Sequence, residues 1–367
     1  MTTWFTTDDC RLSDFRAVVE QTTTLSDYPH AVAVEQNVLI YDNPPASSRP
    51  ELTSALLEGP GIVVFKNAVD PGVVDRASAA FFAMIEEQKA AGAAGGDHFA
   101  KPGANDRVWG ALDKFAVRDP DGFAAYYSNS ALALISQAWL GDGYQVTSQI
   151  NVVNPGGEAQ VAHRDYHLGF MSREQALRYP GHAHRLSPAL TLQGAVAHVD
   201  MPVETGPTLY LPHSQKYAPG YLAFHEPSFT SYFNEHYVQL PLAKGDAAFF
   251  NPALFHGAGT NRTTDVRRMA NLLQVSSAFG RAMESVDRVA MCRALYRALL
   301  SFDGNVDNVI AASAEGYAFP TNLDRDQPVD GLAPPTQAGL VRQALSEKWD
   351  EPRFESALAA QTERRLP

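Results

Sequence analysis

The stretch KGDAAFFNPALFHGAGTNRTTDVRRMANLLQVS, residues 244–276, carries the strongest indication of the fold. It contains two short runs rich in apolar residues, AAFF and MANLLQV, separated by Gly, Pro, Asn and Thr, which is typical of strands divided by turns. Runs of the same kind come earlier in the chain as YQVTSQINVV (144–153), PALTLQGAVAHV (188–199) and TLYLP (208–212). This order predicts an antiparallel double-sheet barrel rather than alternating strand and helix units.

Helical patterns flank these strands. Asp70 and Pro71 are typical of a helix N-cap and first turn, and apolar residues follow them at helical spacing. Further helices are expected at about 130–140, 282–300 and 336–362. AAGAAGGD (90–97) is interpreted as a flexible break, and the region after it, to about residue 128, as loop. The predicted fold class is therefore mainly β with flanking helices, around a double-stranded β-helix (jelly-roll, cupin-like) core.

The predicted organisation has three parts. Residues 1–60 are expected to form an N-terminal extension, and 61–280 the barrel domain with its supporting helices and an insert at about 166–187. Residues 281–367 are expected to form a C-terminal helical extension packed on the barrel.

Composition excludes several classes of function. The 41 acidic and 29 basic residues give a net charge of −12, which disfavours binding to a nucleic-acid backbone. The two cysteines, Cys10 and Cys292, lie too far apart in the sequence for a thiolate metal motif. Neither a signal peptide nor a long apolar run is present, so we expect a cytoplasmic protein that does not bind membranes. Oligomeric state is not predicted.

One tripeptide indicates a metal site. In a strand, residues two apart point to the same side, so His163 and Asp165 can bind one ion, and a later histidine can complete the set. Two imidazoles and one carboxylate are the ligands of non-heme iron(II) oxygenases. A second His-x-Asp, His198 and Asp200, competes with the first, but its position between an apolar strand and a turn favours a structural role.

Four segments in order give a family resemblance. NPGGEAQVAHRDYH (154–167), ETGPTLYLPHSQKY (204–217), Gly245-Asp246 and the strand pair around His256 are together similar to the phytanoyl-CoA dioxygenase family of iron(II)/2-oxoglutarate oxygenases. The resemblance covers about residues 60–278. It implies His163, Asp165 and His256 as catalytic iron ligands, with 2-oxoglutarate and O2 as cosubstrates.

The resemblance also implies residues for the cosubstrate. The family places an arginine eleven residues after the distal histidine, which is Arg267 here, and a guanidinium suits a carboxylate because it forms two parallel hydrogen bonds. Arg268 is its rival, since strand alternation allows only one of the two to face the interior. Inward polar residues that help to bind 2-oxoglutarate are expected at Gln149, Asn151 and Gln193.

The segment YHLGFMSREQALRYPGHAHRLS (166–187) is longer than the family pattern and is expected to shape the substrate pocket. Tyr166 and His167 are the expected substrate contacts. His182 and His184 suggest a second metal, but two histidines on a loop are more often exposed to solvent.

The resemblance implies a dioxygenase that hydroxylates an unactivated C–H bond of a small metabolite and releases succinate and CO2. The metabolite can be a secondary metabolite, an amino-acid derivative or an acyl compound. Desaturation, cyclisation and epimerisation are alternatives on the same scaffold. A zinc hydrolase or a ligand-binding barrel is the alternative from a different class.

Overall fold

The computed structural model describes residues 3–92, 103–329 and 331–367. The predicted flexible break at 90–97 lies outside these residues from position 93 onward, so it stays a prediction.

The described strands form one large sheet and one small one. The large sheet has the order β1-β2-β3-β8-β6-β10-β5-β4, and the small sheet pairs β7 with β9. All pairs are antiparallel except β2 with β3. The bounds are β1 Ala33–Glu35, β2 Val38–Asp42, β3 Ile62–Lys66, β4 Asn105–Val108, β5 Gln145–Val153, β6 Thr191–Ala197, β7 Leu209–Leu211, β8 Ala247–Phe250, β9 Phe255–Gly257 and β10 Arg268–Ser276.

Helices surround this framework. Among the described residues, more lie in helices than in strands. The predicted flanking helices are therefore present, but the prediction that β structure predominates is wrong. Asp70 caps α3 as predicted, because its carboxylate accepts the N–H groups of Gly72 and Val73. The bounds are α1 Leu12–Val19, α2 Arg49–Leu57, α3 Pro71–Ala90, α4 Ala111–Arg118, α5 Pro120–Tyr127, α6 Ser130–Leu140, α7 Arg173–Ala176, α8 Gly181–Ala189, α9 Gly220–Ala223, α10 Pro227–His236, α11 Arg288–Leu299, α12 Val306–Ser313, α13 Gln337–Ser346 and α14 Glu351–Arg365.

Strand alternation divides β10 into two faces. Met269, Leu273 and Val275 belong to the large hydrophobic cluster that the helices cover. Arg268, Ala270, Leu272 and Gln274 line a cavity on the inner side of the sheet. The pairing of β10 with both β5 and β6 therefore fixes which polar side chains reach the cavity.

Both terminal regions pack against the central part of the chain. The region 1–60 supplies β1 and β2 to the large sheet, and Phe15 of α1 packs against Phe255 with ring centroids 5.0 Å apart. Phe255 directly precedes the predicted metal ligand His256, so α1 supports β9, the strand that carries this histidine. At the other end, Leu295 and Leu358 are buried in the same cluster as the outer face of β10.

The region expected to be loop up to residue 128 instead contains β4, α4 and α5. Its apolar residues Leu112, Phe115 and Phe123 are fully or almost fully buried. Charges on the exposed faces of these short helices gave the sequence a loop-like appearance. Among the described residues, no helix is both long and apolar enough to cross a membrane.

Candidate active site

The structure brings His163, Asp165 and His256 together. The two histidines form an antiparallel β-bridge, with His163 N–H donating to His256 O at 2.9 Å and His256 N–H donating to His163 O at 3.1 Å. One ligand atom from each of the three residues lies within 4.8 Å of the other two. Since backbone pairing sets this arrangement, its geometry is built into the sheet.

Hydrogen bonds orient both imidazole rings. The Nδ1 atom of His163 lies 2.9 Å from Val161 O, and that of His256 lies 2.9 Å from Leu254 O. A carbonyl oxygen only accepts, so each Nδ1 carries the proton and each Nε2 keeps a free lone pair. The Nε2 atoms lie 3.6 Å and 3.3 Å from the oxygens of Asp165. Both lone pairs therefore face the carboxylate, as a metal held between them requires.

The charges suit a divalent cation. Burial alone raises the pKa of Asp165, but His256, His163 and Gln193 outweigh it and lower that pKa to about 2. Burial and the neighbouring His256 lower the pKa of His163. At neutral pH the site thus offers one anionic oxygen ligand and a neutral imidazole, and the set fits iron(II) with open positions for other ligands.

Arg164, between the two ligands of the motif, points to the opposite side. Its buried guanidinium donates to Ser214 O at 2.5 Å and to Tyr217 O at 2.9 Å. It also packs 5.1 Å from the ring centroid of Tyr221, and a Cβ atom at Gly220 would collide with it. This anchor holds the strand so that His163 and Asp165 both face the cavity.

The residue after the motif is strained. Tyr166 has φ 65° and ψ 142°, a conformation that bulky residues rarely adopt. Its buried side chain lines the cavity, and its hydroxyl donates to Met283 Sδ at 3.6 Å. His167 instead turns away, and its Nδ1 lies 3.2 Å from Ser187 Oγ. Of the two expected substrate contacts, the structure brings only Tyr166 to the cavity.

The cavity has a volume of about 730 Å³. Of the residues predicted from the sequence, Gln149, Asn151 and Gln193 line it together with the three metal-site residues. Gln149 accepts a hydrogen bond from Arg107 at 3.3 Å, while Gln193 Nε2 donates to Asp165 Oδ2 at 2.5 Å. Gln193 therefore orients Asp165, one of the candidate metal ligands.

Arg267 does not reach the cavity. Its side chain is 39% exposed and pairs with Asp106 at 2.9 Å on the outer side of β10. Arg268, its neighbour, is 6% exposed and lines the cavity. Its guanidinium donates from Nη1 to Gly259 O at 3.4 Å, and burial lowers its pKa to about 10. Within the described part of the chain no carboxylate forms an ion pair with Arg268.

The competing motif has a structural role. His198 is buried, with Nδ1 2.9 Å from Ser78 Oγ and Nε2 2.9 Å from Tyr126 Oη. Asp200 accepts the backbone N–H of Lys244 at 2.9 Å. Both ring nitrogens of His198 are engaged with hydroxyl groups, so this pair is not a metal site.

The second pair of histidines lies on α8 rather than on a loop. His182 is exposed, whereas His184 is buried, packs edge-on against Phe5 and donates from Nε2 to Ala176 O at 3.1 Å. The two rings thus face different surroundings, and they do not form a metal cluster with other described residues.

Several cavity residues were not predicted from the sequence. Gln160 precedes His163 by three residues and accepts the N–H of Ala258, which leaves its side-chain N–H groups free to donate. Gln274 lies six residues after Arg268 on β10, so both side chains point to the same face of the strand. A polar residue at such an inward position was the sequence feature that could have identified it. The aromatic and thioether residues at the rim, which no motif marks, are Trp109, Phe170, Met171 and Met283.

Comparison with known proteins identifies the family of this chain. Residues 57–269, more than half of the chain, match the model of the Phytanoyl-CoA dioxygenase family. The chain is 27% identical over 222 residues to the protein "Dioxygenase trt7" of Aspergillus terreus, covering 60% of this chain and 71% of that protein. It is 32% identical over 130 residues to "Dioxygenase cdmD" of Talaromyces verruculosus, covering 35% of this chain and 38% of that protein.

Solved structures with partial similarity include two enzymes of nogalamycin biosynthesis. The non-heme alpha ketoglutarate dependent carbocyclase SnoK gives a TM-score of 0.45 at 19% identity, over 64% of this chain and 86% of that one. The epimerase SnoN, solved with Fe3+, alpha ketoglutarate and nogalamycin RO, gives 0.42 at 19% identity, over 64% and 85%. The match to the family model confirms the family predicted from the motifs: this chain belongs to the phytanoyl-CoA dioxygenase family.

Proposed function

We propose that this protein is an iron(II)- and 2-oxoglutarate-dependent dioxygenase that hydroxylates an unactivated C–H bond of a small molecule, releasing succinate and CO2. The observation that carries the proposal is that one cavity contains both the three metal-site residues and Arg268. A divalent cation and a dicarboxylate account for both features at once. We also propose that the large and small sheets form the two walls of a double-stranded β-helix.

In this proposal His163, Asp165 and His256 hold the iron, and Arg268 binds the far carboxylate of 2-oxoglutarate. Arg268 takes the role that the resemblance implied for Arg267, because a buried guanidinium without an acidic partner is satisfied by a ligand carboxylate. Gln160 is close by in the cavity lining and has N–H groups to donate to the same ligand.

When bound, iron with 2-oxoglutarate and dioxygen supplies the oxidising power that activates the C–H bond. The chain itself positions the ligands and excludes water. Gln193 keeps Asp165 oriented through its hydrogen bond, and Tyr166 closes the cavity beside the motif. Desaturation, ring formation and epimerisation remain alternative outcomes, since substrate placement decides among them.

A zinc hydrolase is the alternative from another class. The triad alone is compatible with it, but a hydrolase does not need a buried guanidinium in the same cavity that lacks an acidic partner among the described residues. Arg268 therefore favours the oxygenase.

The test is to measure succinate formation and dioxygen consumption in the presence of iron(II) and 2-oxoglutarate. The proposal expects slow succinate formation without substrate, its loss in His256→Ala, and its retention in His182→Ala, which removes an exposed histidine outside the cavity. Folded wild-type protein that forms no succinate and consumes no dioxygen would contradict it.

A further inference from the structure

Gln274 is a buried amide whose Oε1 atom has no hydrogen-bond partner among the described residues. Its side chain is 7% exposed and lines the cavity, and its Oε1 atom is buried without a hydrogen bond. Within the described part of the chain, its side chain makes no hydrogen bond. Buried polar groups are almost always paired, so an amide of this kind in a cavity indicates a ligand group that completes it.

A second amide lies beside it. Gln193 of β6 is the register partner of Gln274, and its Oε1 atom is also buried without a hydrogen bond. The orientation of Gln193 is fixed because its Nε2 donates to the carboxylate of Asp165, which only accepts. Oε1 of Gln193 is therefore an acceptor that requires a donor from the ligand.

These two amides lie away from the proposed cosubstrate anchor. Gln274 is six residues from Arg268 on one extended strand, a separation of roughly 20 Å. That separation is between Cα atoms, and the stronger distinction is chemical: ionised 2-oxoglutarate carries only acceptors, so it cannot donate to Gln193 Oε1. The amide pair is instead next to Asp165 through Gln193, so a ligand group here is close to the metal-site residues.

The rim of the same cavity is apolar. The side chains of Trp109, Phe170 and Met283 are 38%, 58% and 40% exposed, and they line the cavity. Exposed large apolar residues around a cavity indicate a ligand with an apolar body.

We propose that the substrate is an apolar molecule with a hydroxyl group, and that Gln274 and Gln193 bind this hydroxyl. The inference rests on the proposed oxygenase function and specifies the substrate of that site. A hydroxyl can donate to Gln193 Oε1 and accept from Gln274 Nε2 at the same time. A ketone or a carboxylate satisfies only Gln274, because neither has a proton to donate to Gln193 Oε1.

The test uses three probes that are small enough for the cavity: cyclohexanol, cyclohexanone and methylcyclohexane. Their binding to the anaerobic iron(II)- and 2-oxoglutarate-loaded protein is measured by equilibrium dialysis. We expect cyclohexanol to bind about tenfold more tightly than the other two, equivalent to about 1.4 kcal/mol. Gln274→Leu should remove that preference while methylcyclohexane binds as before.

Gln361→Leu is the matched control, because Gln361 is equally buried but lies in α14 outside the cavity. Gln274→Met repeats the test if the leucine variant folds poorly. Equal binding of the three probes, no binding of cyclohexanol to the wild type, or an unchanged preference in a folded Gln274 variant would overturn the inference. Affinities for iron and 2-oxoglutarate, measured on the same samples, test the proposed function separately.

Discussion

Replacing Arg268 with methionine should weaken the binding of 2-oxoglutarate by two to three orders of magnitude. The change keeps the apolar stem of this residue, which is 6% exposed, and removes the guanidinium, whose hydrogen bond to Gly259 O is long at 3.4 Å. A hydrogen bond to a charged group contributes about 1.5–3 kcal/mol, and removing one partner of a buried ion pair costs about 3–5 kcal/mol. A loss of about 3–4 kcal/mol corresponds to roughly 150- to 700-fold in dissociation constant.

The assay is anaerobic titration of the iron(II) protein with 2-oxoglutarate, and Arg267→Met is the matched control. Arg267 lies on the outer side of β10 with Asp106, so its loss should change 2-oxoglutarate affinity less than about twofold.

Thermal unfolding of the ligand-free variants separates binding from folding. Burial lowers the pKa of Arg268, which means that the folded chain disfavours its charge. Arg268→Met should therefore unfold at the same or a higher temperature than the wild type without 2-oxoglutarate. If Arg267→Met loses affinity and Arg268→Met does not, the assignment of the anchor is refuted.

Three other substitutions test the surroundings of the site. Gly220→Ala should weaken metal binding and lower the unfolding temperature, because the new methyl group collides with the guanidinium of Arg164, and normal metal binding would contradict the anchoring role. Gln193→Met should weaken metal binding about 10- to 100-fold by releasing Asp165, as measured by metal titration, whereas unchanged affinity would exclude that role. His198→Gln should leave metal binding intact and reduce acid sensitivity, since burial lowers the pKa of His198 to about 3. The stability that neutral His198 contributes is complete above its usual pKa of about 6.5 and is lost as pH falls toward about 3, so urea unfolding across this range should show a steeper decline in the wild type than in the variant.

The sequence was most informative where local rules decide the structure. The spacing of two predicted that His163 and Asp165 act together, and the structure brings both to one cavity, although the segment forms only an isolated bridge from His163 to His256 rather than a full strand. His198 was correctly assigned a structural role from its position at the end of an apolar strand.

The arginine could not be chosen from spacing alone. Arg268 is the register partner of Val153, which has the same strand parity as Asn151 and Gln149. Those two residues were expected to face inward, and they do line the cavity. The pairing of β10 with β5 therefore selects Arg268, but that register is a long-range property that neither strand reveals by itself.

The termini illustrate the same limit. Val38–Asp42 is a short apolar strand in a turn-rich region, and only its parallel pairing with β3 makes it part of the large sheet.

The strain at Tyr166 is also invisible in the sequence, because a tyrosine gives no local indication of positive φ.

Anaerobic addition of iron(II) and 2-oxoglutarate, followed by visible absorption, tests the proposed metal and cosubstrate site most directly. Iron chelated by 2-oxoglutarate should give a metal-to-ligand charge-transfer band that saturates at one equivalent of iron and is lost in His256→Ala. The absence of this band in folded wild-type protein, or its persistence in that variant, would contradict the assignment of His163, Asp165 and His256 as the iron site.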